Sequence, residues 1–284
     1  MKHLAEKLTI ISITLLLFNA CTDLGPIRDY AKASQDLTSG QEIVTRWKNS
    51  DAELIKAQPL FDDPINTRRD EESQKHAEEA AKNLIKIHNV LGQYFSAVAL
   101  LADDGLPSVK TQSESLSNSI KLVDSNFNEA DQAAFKAILN LLSIPLDAYR
   151  QKQVIKLIKE QDENVEKLLT ILEQSSMVIE SDIRSEADAS TQPYYAMLGD
   201  IKDKGVRYLI REKMLINKKT NYQALFSAIA NYRSAIANIK YQHKKIATSV
   251  SSNKDNLKQI LAELKDAKKQ IESAKIAVET AIAN

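Results

Sequence analysis

The 284-residue chain carries 38 basic and 38 acidic residues, so it has no formal net charge at neutral pH. Six glycines, six prolines, one cysteine and 6% aromatic residues leave little material for a phosphate-cradling glycine loop and none for a cysteine cluster around a metal. An abundance of Ala, Leu, Lys, Glu, Gln and Ile favours helix, and the length suffices for a sizeable core in one or two domains.

In chain order, a short cationic stretch from Met1 to Lys7 comes first, then an apolar run from Leu8 to Phe18. Eleven helical residues reach only about 17 Å, too short for a hydrocarbon core of about 30 Å, and the charge-then-apolar order reads as a secretory signal. The run ends in Leu17-Phe18-Asn19-Ala20-Cys21. This resembles the lipobox of bacterial lipoproteins, with Ala20 as the small residue before the cysteine and with Phe18 and Asn19 departing from the usual pattern. The resemblance implies removal of residues 1–20 and lipidation of Cys21 with fatty acyl chains such as palmitate. A lone thiol in an exported protein is otherwise a liability, and its position directly after the apolar run accounts for it. Thr22 rather than aspartate follows the cysteine. By the sorting pattern of Gram-negative lipoproteins, that implies the periplasmic face of the outer membrane.

Residues 22–27 read as a short tether. Helical spacing follows at Ile27, Tyr30, Ser34, Leu37, Val44 and Trp47, with Gly40 as a weak point. Pro59 and Pro64 predict a loop over 58–66, which separates a lipid-anchored arm, 21–65, from a bundle, 66–284. From Arg68 to Ala102 a wide apolar stripe predicts a long helix, with Asp70, Glu71 and Glu72 in its first turn and a stop at Asp103-Asp104-Gly105-Leu106-Pro107. Shorter helices are expected through Leu116 and Ile120 and, after an Asn128 cap, through Ile138 and Leu141 up to Pro145. Val154 to Ile183 predicts another long helix. Its interruption is expected at Gln161-Asp162-Glu163-Asn164, and a kink or restart at Pro193. Leu225 to Val250 and Leu257 to Ala281 repeat as heptad seams; Thr220 and Gln223 read as a capping box before the first, and Ser251-Ser252-Asn253 as the turn between them. The expected fold is an all-α, elongated antiparallel helical bundle with a coiled-coil-like C-terminal hairpin. Heptads satisfied between chains look the same as heptads satisfied within one, so a homo-oligomer fits the pattern equally.

The helix ending Leu101-Ala102-Asp103-Asp104-Gly105, followed by Tyr149-Arg150-Gln151-Lys152, resembles a group of uncharacterised helical exported proteins of bacteria, a likeness that implies helical structure and no particular activity.

Charge is unevenly distributed: residues 22–200 hold 19 basic against 30 acidic, and residues 201–284 hold 17 against 7. The leading reading packs the basic third beside the acidic remainder; the functional alternative is a basic surface that meets anionic lipid head groups or an acidic envelope polymer, with Lys204, Arg207, Arg211 and Lys218 spaced to share one helical face. No interleaving of basic and aromatic residues suggests a nucleic-acid groove. His76, His88 and His243 lack the spacing of metal ligands, and each reads as a buried or half-buried core histidine, His88 at the edge of an apolar stripe and His243 inside a heptad seam. Burial depresses a histidine pKa, so His243 reads as a pH-sensitive seam residue, and His243→Leu is then expected to stabilise the fold in mild acid. No nucleophile elbow is present, Asp103-Asp104 lacks the ligand spacing of a calcium loop, and Tyr194-Tyr195 reads as an aromatic anchor. A non-enzyme without metal or cofactor is expected. It would be a lipid-anchored envelope scaffold or binding module that engages a protein or an envelope polymer. Two alternatives are a membrane-active protein resembling helical pore-formers and an inhibitor or immunity-type lipoprotein.

Overall fold

A computed structural model describes residues 24–39, 41–50, 71–103, 150–249 and 254–283. The expected lipidation site at Cys21, the proline loop, the helices around Leu116 and Leu141 and the turn at 251–253 lie outside them. Every element among the described residues is helical: α1 (Gly25–Ser39), α2 (Glu42–Lys48), α3 (Glu71–Leu101), α4 (Arg150–Asp200), α5 (Lys204–Leu209), a π-helical segment (Ile210–Leu215), α6 (Ile216–Ser249) and α7 (Lys254–Ala283). The protein is an all-α helical bundle. At about 1.5 Å per residue, α4 alone is about 75 Å long, so the bundle is elongated.

Five long helices close a ring in the spatial order α4, α6, α7, α1, α3 and back to α4. The stripes read from the sequence face inward: Leu84, Ile87, Leu91, Tyr94, Phe95 and Val98 on α3, Leu168 and Ile183 on α4, Ile229, Ile236 and Ile239 on α6, and Leu264, Ile271 and Val278 on α7 are all buried in one core. Ion pairs set the register. Asp29 and Asp36 on α1 meet Lys268 and Lys275 on α7, so these helices run parallel. Asn238 with Gln270 and Lys245 with Glu263 hold α6 and α7 antiparallel. Lys240 with Glu173 and Lys244 with Glu166 do the same for α6 and α4.

The N-terminal helices differ from an arm. Leu24, Ile27, Tyr30, Leu37, Val44 and Trp47 lie in the same core as the rest of the bundle, and the Tyr30 hydroxyl donates to the Ile239 carbonyl at 2.8 Å. The reason is their own stripe: a helix with an apolar face gains more by closing the ring than by standing in solvent. Leu24 and Ile27 are therefore core residues rather than tether.

Three expected interruptions are also absent. α4 runs unbroken through 161–164, because Gln161 is buried and Asp162 finds a partner on α6. It continues through Pro193, where Ser190, Thr191 and Tyr194 are buried around the site and packing outweighs one lost backbone bond. Thr220 lies inside α6 rather than at its start, its hydroxyl donating to the Ile216 carbonyl at 2.9 Å, the mid-helix habit of threonine.

Candidate functional site

Two polar features stand out from this apolar frame: a set of hydrogen bonds through the core, and the hairpin tip between α4 and α6.

In the core, His88 on α3 donates from Nδ1 to the Thr38 carbonyl at 2.7 Å, since a carbonyl can only accept, and its Nε2 faces the Tyr232 hydroxyl at 3.2 Å. Burial pushes the His88 pKa down to about 4, against a smaller upward effect of the bond to Thr38. His243 on α6 donates from Nδ1 to Asp162 Oδ1 at 2.8 Å, and its Nε2 lies 2.7 Å from the Tyr94 hydroxyl. Burial raises the Tyr94 pKa well above the usual tyrosine value, aided by Tyr30 and Asp162. Tyr94 packs edge-on against Phe95, which packs edge-on against Tyr30. The order Asp162–His243–Tyr94 has the hydrogen-bond logic of a proton relay, but Tyr94 and His243 are enclosed by the bundle. Its work is structural: each bond joins two different helices. His88 and His243 are core residues, as their stripe positions imply, whereas His76, expected to be a core histidine too, is exposed. Asp162 and Tyr94 are both bonded to His243, so an apolar side chain there would leave them without that partner. The His243→Leu substitution is therefore expected to destabilise the fold, by about 1–3 kcal/mol per stranded polar group; a lower melting temperature at neutral and mildly acid pH checks this.

A second buried polar group is Glu186 on α4. Its carboxylate accepts from Arg46 of α2 at 2.5 and 3.0 Å and from the Tyr222 hydroxyl of α6 at 2.6 Å. Trp47 Nε1 donates to Asp182 at 2.8 Å. These bonds pin the short α2 across the ring near the end that leads to the tip.

The tip begins where α4 ends at Gly199-Asp200. Asp203 caps α5, accepting from the Val206 amide at 2.9 Å, and Arg207 donates from Nε and Nη2 to the Ile201 carbonyl at 3.1 and 2.6 Å. The π segment follows, with the Ile216 amide bonded to the Arg211 carbonyl five residues back. Such a segment is rare and often functional. Tyr194, Ile210 and Leu215 form a small core separate from the main one, flanked by Met197, Leu198 and Ile201. Lys204, Arg207 and Arg211 are exposed here, whereas Lys218 turns toward α4, its ammonium 5.8 Å from the Tyr194 ring. Lys219 lies 4.9 Å from the Tyr195 ring. Of the expected aromatic anchor, Tyr194 is buried and Tyr195 exposed, and among the basic residues lie further exposed apolar ones that sequence reasoning missed: Val206, Tyr208, Leu209, Met214 and Ile216. Their spacing resembles that of a core stripe, and only the geometry of the turn shows them facing outward.

A cleft of about 600 Å³ lies far from the tip, where Gly25 of α1 meets Ala102 and Leu264. The stretch Gln74–Leu101 within α3 is long and apolar enough to cross a membrane by length and composition, and two thirds of its most apolar window is buried inside the bundle. Among the described residues no group of three or more His, Cys, Asp or Glu side chains is arranged to hold a metal ion. The chain matches no protein-family model, no curated protein and no solved structure.

Proposed function

We propose that this protein is a lipid-anchored scaffold or binding module of the bacterial cell envelope, acting through contacts rather than chemistry. The observation that carries this reading is the basic, apolar-studded tip at one end of a long bundle whose buried histidines and Glu186 bond from helix to helix. The signal-like segment ending in Cys21 supports the anchor. Three positions separate Cys21 from the buried Leu24, a reach of about 10 Å at most, so an acylated Cys21 would hold the bundle close to its membrane. Inhibition of an exported toxin or enzyme is the same geometry with a different partner.

Two measurements test the reading. A Cys21→Ala variant is expected to lose lipid labelling and membrane fractionation while its helical circular dichroism is unchanged; retention in the membrane fraction would overturn the anchor. Crosslinking in the native envelope is expected to capture a discrete partner, and the identity of that partner separates scaffold from inhibitor.

A second reading, membrane insertion in the manner of helical pore-formers, draws on α3. Its release would require opening the ring and exposing Tyr94, Phe95 and both core histidines. Dye release from anionic vesicles supports that reading; intact vesicles at micromolar protein count against it.

A further inference from the structure

We propose that the hairpin tip, residues 195–219, is a contact surface for anionic lipid headgroups on a membrane that faces the end of the bundle away from Leu24.

Exposure is the first observation. None of the residues of α5 is buried; Tyr208 is 62%, Leu209 55% and Val206 46% exposed. Of the ten large apolar side chains exposed among the described residues, six lie between Tyr195 and Ile216. Single exposed apolar residues are ordinary, but a cluster rimmed by charge marks an interaction site.

Charge is the second. Residues 200–219 hold seven Lys and Arg against three Asp and Glu, and one of those acids, Asp203, is engaged in capping α5. An excess of positive charge complements an anionic surface. The apolar members decide which surface. An anionic sugar or phosphate polymer would engage the lysines and arginines, and a sugar ring would stack on Tyr208, but neither would cover the aliphatic Val206 and Leu209. A lipid interface takes both, with ammonium and guanidinium groups among the phosphates and with aromatic and aliphatic side chains at the boundary with the acyl chains. The outward-facing α5, which has no buried residue, also suits a broad surface better than an inserted peptide.

Placement is the third. Tyr30 of α1 meets Ile239 of α6. From that level, α6 runs 23 residues to Ile216, about 35 Å, while Leu24 lies further still in the opposite direction, beside the cleft formed with Ala102 and Leu264. The described chain therefore begins about 40 Å from the base of the tip. An anchor at Cys21 and a lipid-binding tip would address two membrane surfaces from the two ends of one rod. This trans placement rests on the anchored reading proposed above; the lipid contact itself does not.

The test uses the full chain as cells process it, reconstituted into phosphatidylcholine vesicles and mixed with labelled vesicles of phosphatidylcholine alone or with added phosphatidylglycerol. Capture of the anionic vesicles and not the neutral ones is expected. It should fall about tenfold in the Tyr208→Ser/Leu209→Ser variant and also in the Lys204→Gln/Arg211→Gln variant, all of them exposed positions, with thermal melting unchanged. Protein that floats with its own vesicles yet captures no anionic ones, or captures them equally in both variants, overturns the proposal. Tip crosslinks to an envelope protein without lipid capture overturn it in favour of a protein partner. If the protein does not float with neutral vesicles, the anchor fails. Direct flotation with anionic vesicles then reads the tip by itself: tip-dependent binding supports the lipid contact, and its absence overturns it.

Discussion

Replacing Arg46 with alanine is expected to destabilise the protein by about 3–5 kcal/mol, because it strands a charge inside the bundle. The Glu186 side chain is only 2% exposed and accepts from both terminal nitrogens of Arg46 and from Tyr222. The native fold shields that carboxylate from water, and the Tyr222 hydroxyl alone does not replace a bidentate guanidinium. Removing both charges, as Arg46→Met with Glu186→Gln, should recover most of the loss, since the large term is the unpaired ion rather than the pair. The exposed pair Lys156–Glu160 within α4, with side chains 70% and 50% exposed, sets the scale for comparison. Lys156→Ala should change stability by no more than about 0.5 kcal/mol. Urea unfolding of the four proteins, followed by circular dichroism, checks all of this. An Arg46→Ala effect as small as that of Lys156→Ala would refute the role assigned to Glu186.

Acid should destabilise the fold through His88 before most carboxylates titrate. Its folded pKa is depressed to about 4, against about 6.5 in an unfolded chain. The sign follows directly. Above pH 6.5 the imidazole is neutral in both states and contributes nothing to the pH dependence. Between about 6.5 and 4 the unfolded chain takes up a proton that the folded protein refuses, so stability falls as the pH falls through that window. The difference amounts to about 3 kcal/mol by pH 4. Physically, a protonated His88 would be a buried cation with Tyr232 on one side and the Thr38 carbonyl on the other. Glu180 adds its own loss at lower pH: burial works to raise its pKa, but hydrogen bonds and charge from Arg184 and Arg233 outweigh that and hold it below the ordinary value. The His88→Asn variant separates the two. Its amide can still donate to Thr38 but does not titrate, so its stability should decline less between pH 6.5 and 4 than that of the native protein. Parallel pH profiles of the two proteins would refute the assignment.

Much of the fold was legible in the residues because helical amphipathicity is local. Leu84 to Val98 on α3, and the heptads of α6 and α7, announce both their helices and their buried faces within a few turns. The misreadings have a common cause. Pro193, Thr220 and the polar run 161–164 carry true local signals for a break or a cap. Each is overridden in the folded chain, though not in the same way: Asp162 is satisfied by His243 of α6, Pro193 sits where buried flanking residues hold α4 on course, and Thr220 bonds back to the Ile216 carbonyl within α6. The candidate site was half legible. The basic residues at 204, 207 and 211 declare themselves by charge, whereas Tyr208 and Leu209 look like core positions until the turn between α4 and α6 is seen to face outward.

The sequence by itself therefore determined that the chain is helical, which stripes are apolar, where positive charge is concentrated, and that Cys21 follows a signal-like segment. Only the tertiary structure decided that the first helix closes the ring, that Glu186 and the two core histidines have partners, and that the basic tip lies at the end away from Leu24. The division is physical. Periodicity and charge are properties of neighbouring residues, whereas pairing is a match between groups such as the Arg46 and Glu186 side chains, or the Tyr30 hydroxyl and the Ile239 carbonyl, separated by more than a hundred positions.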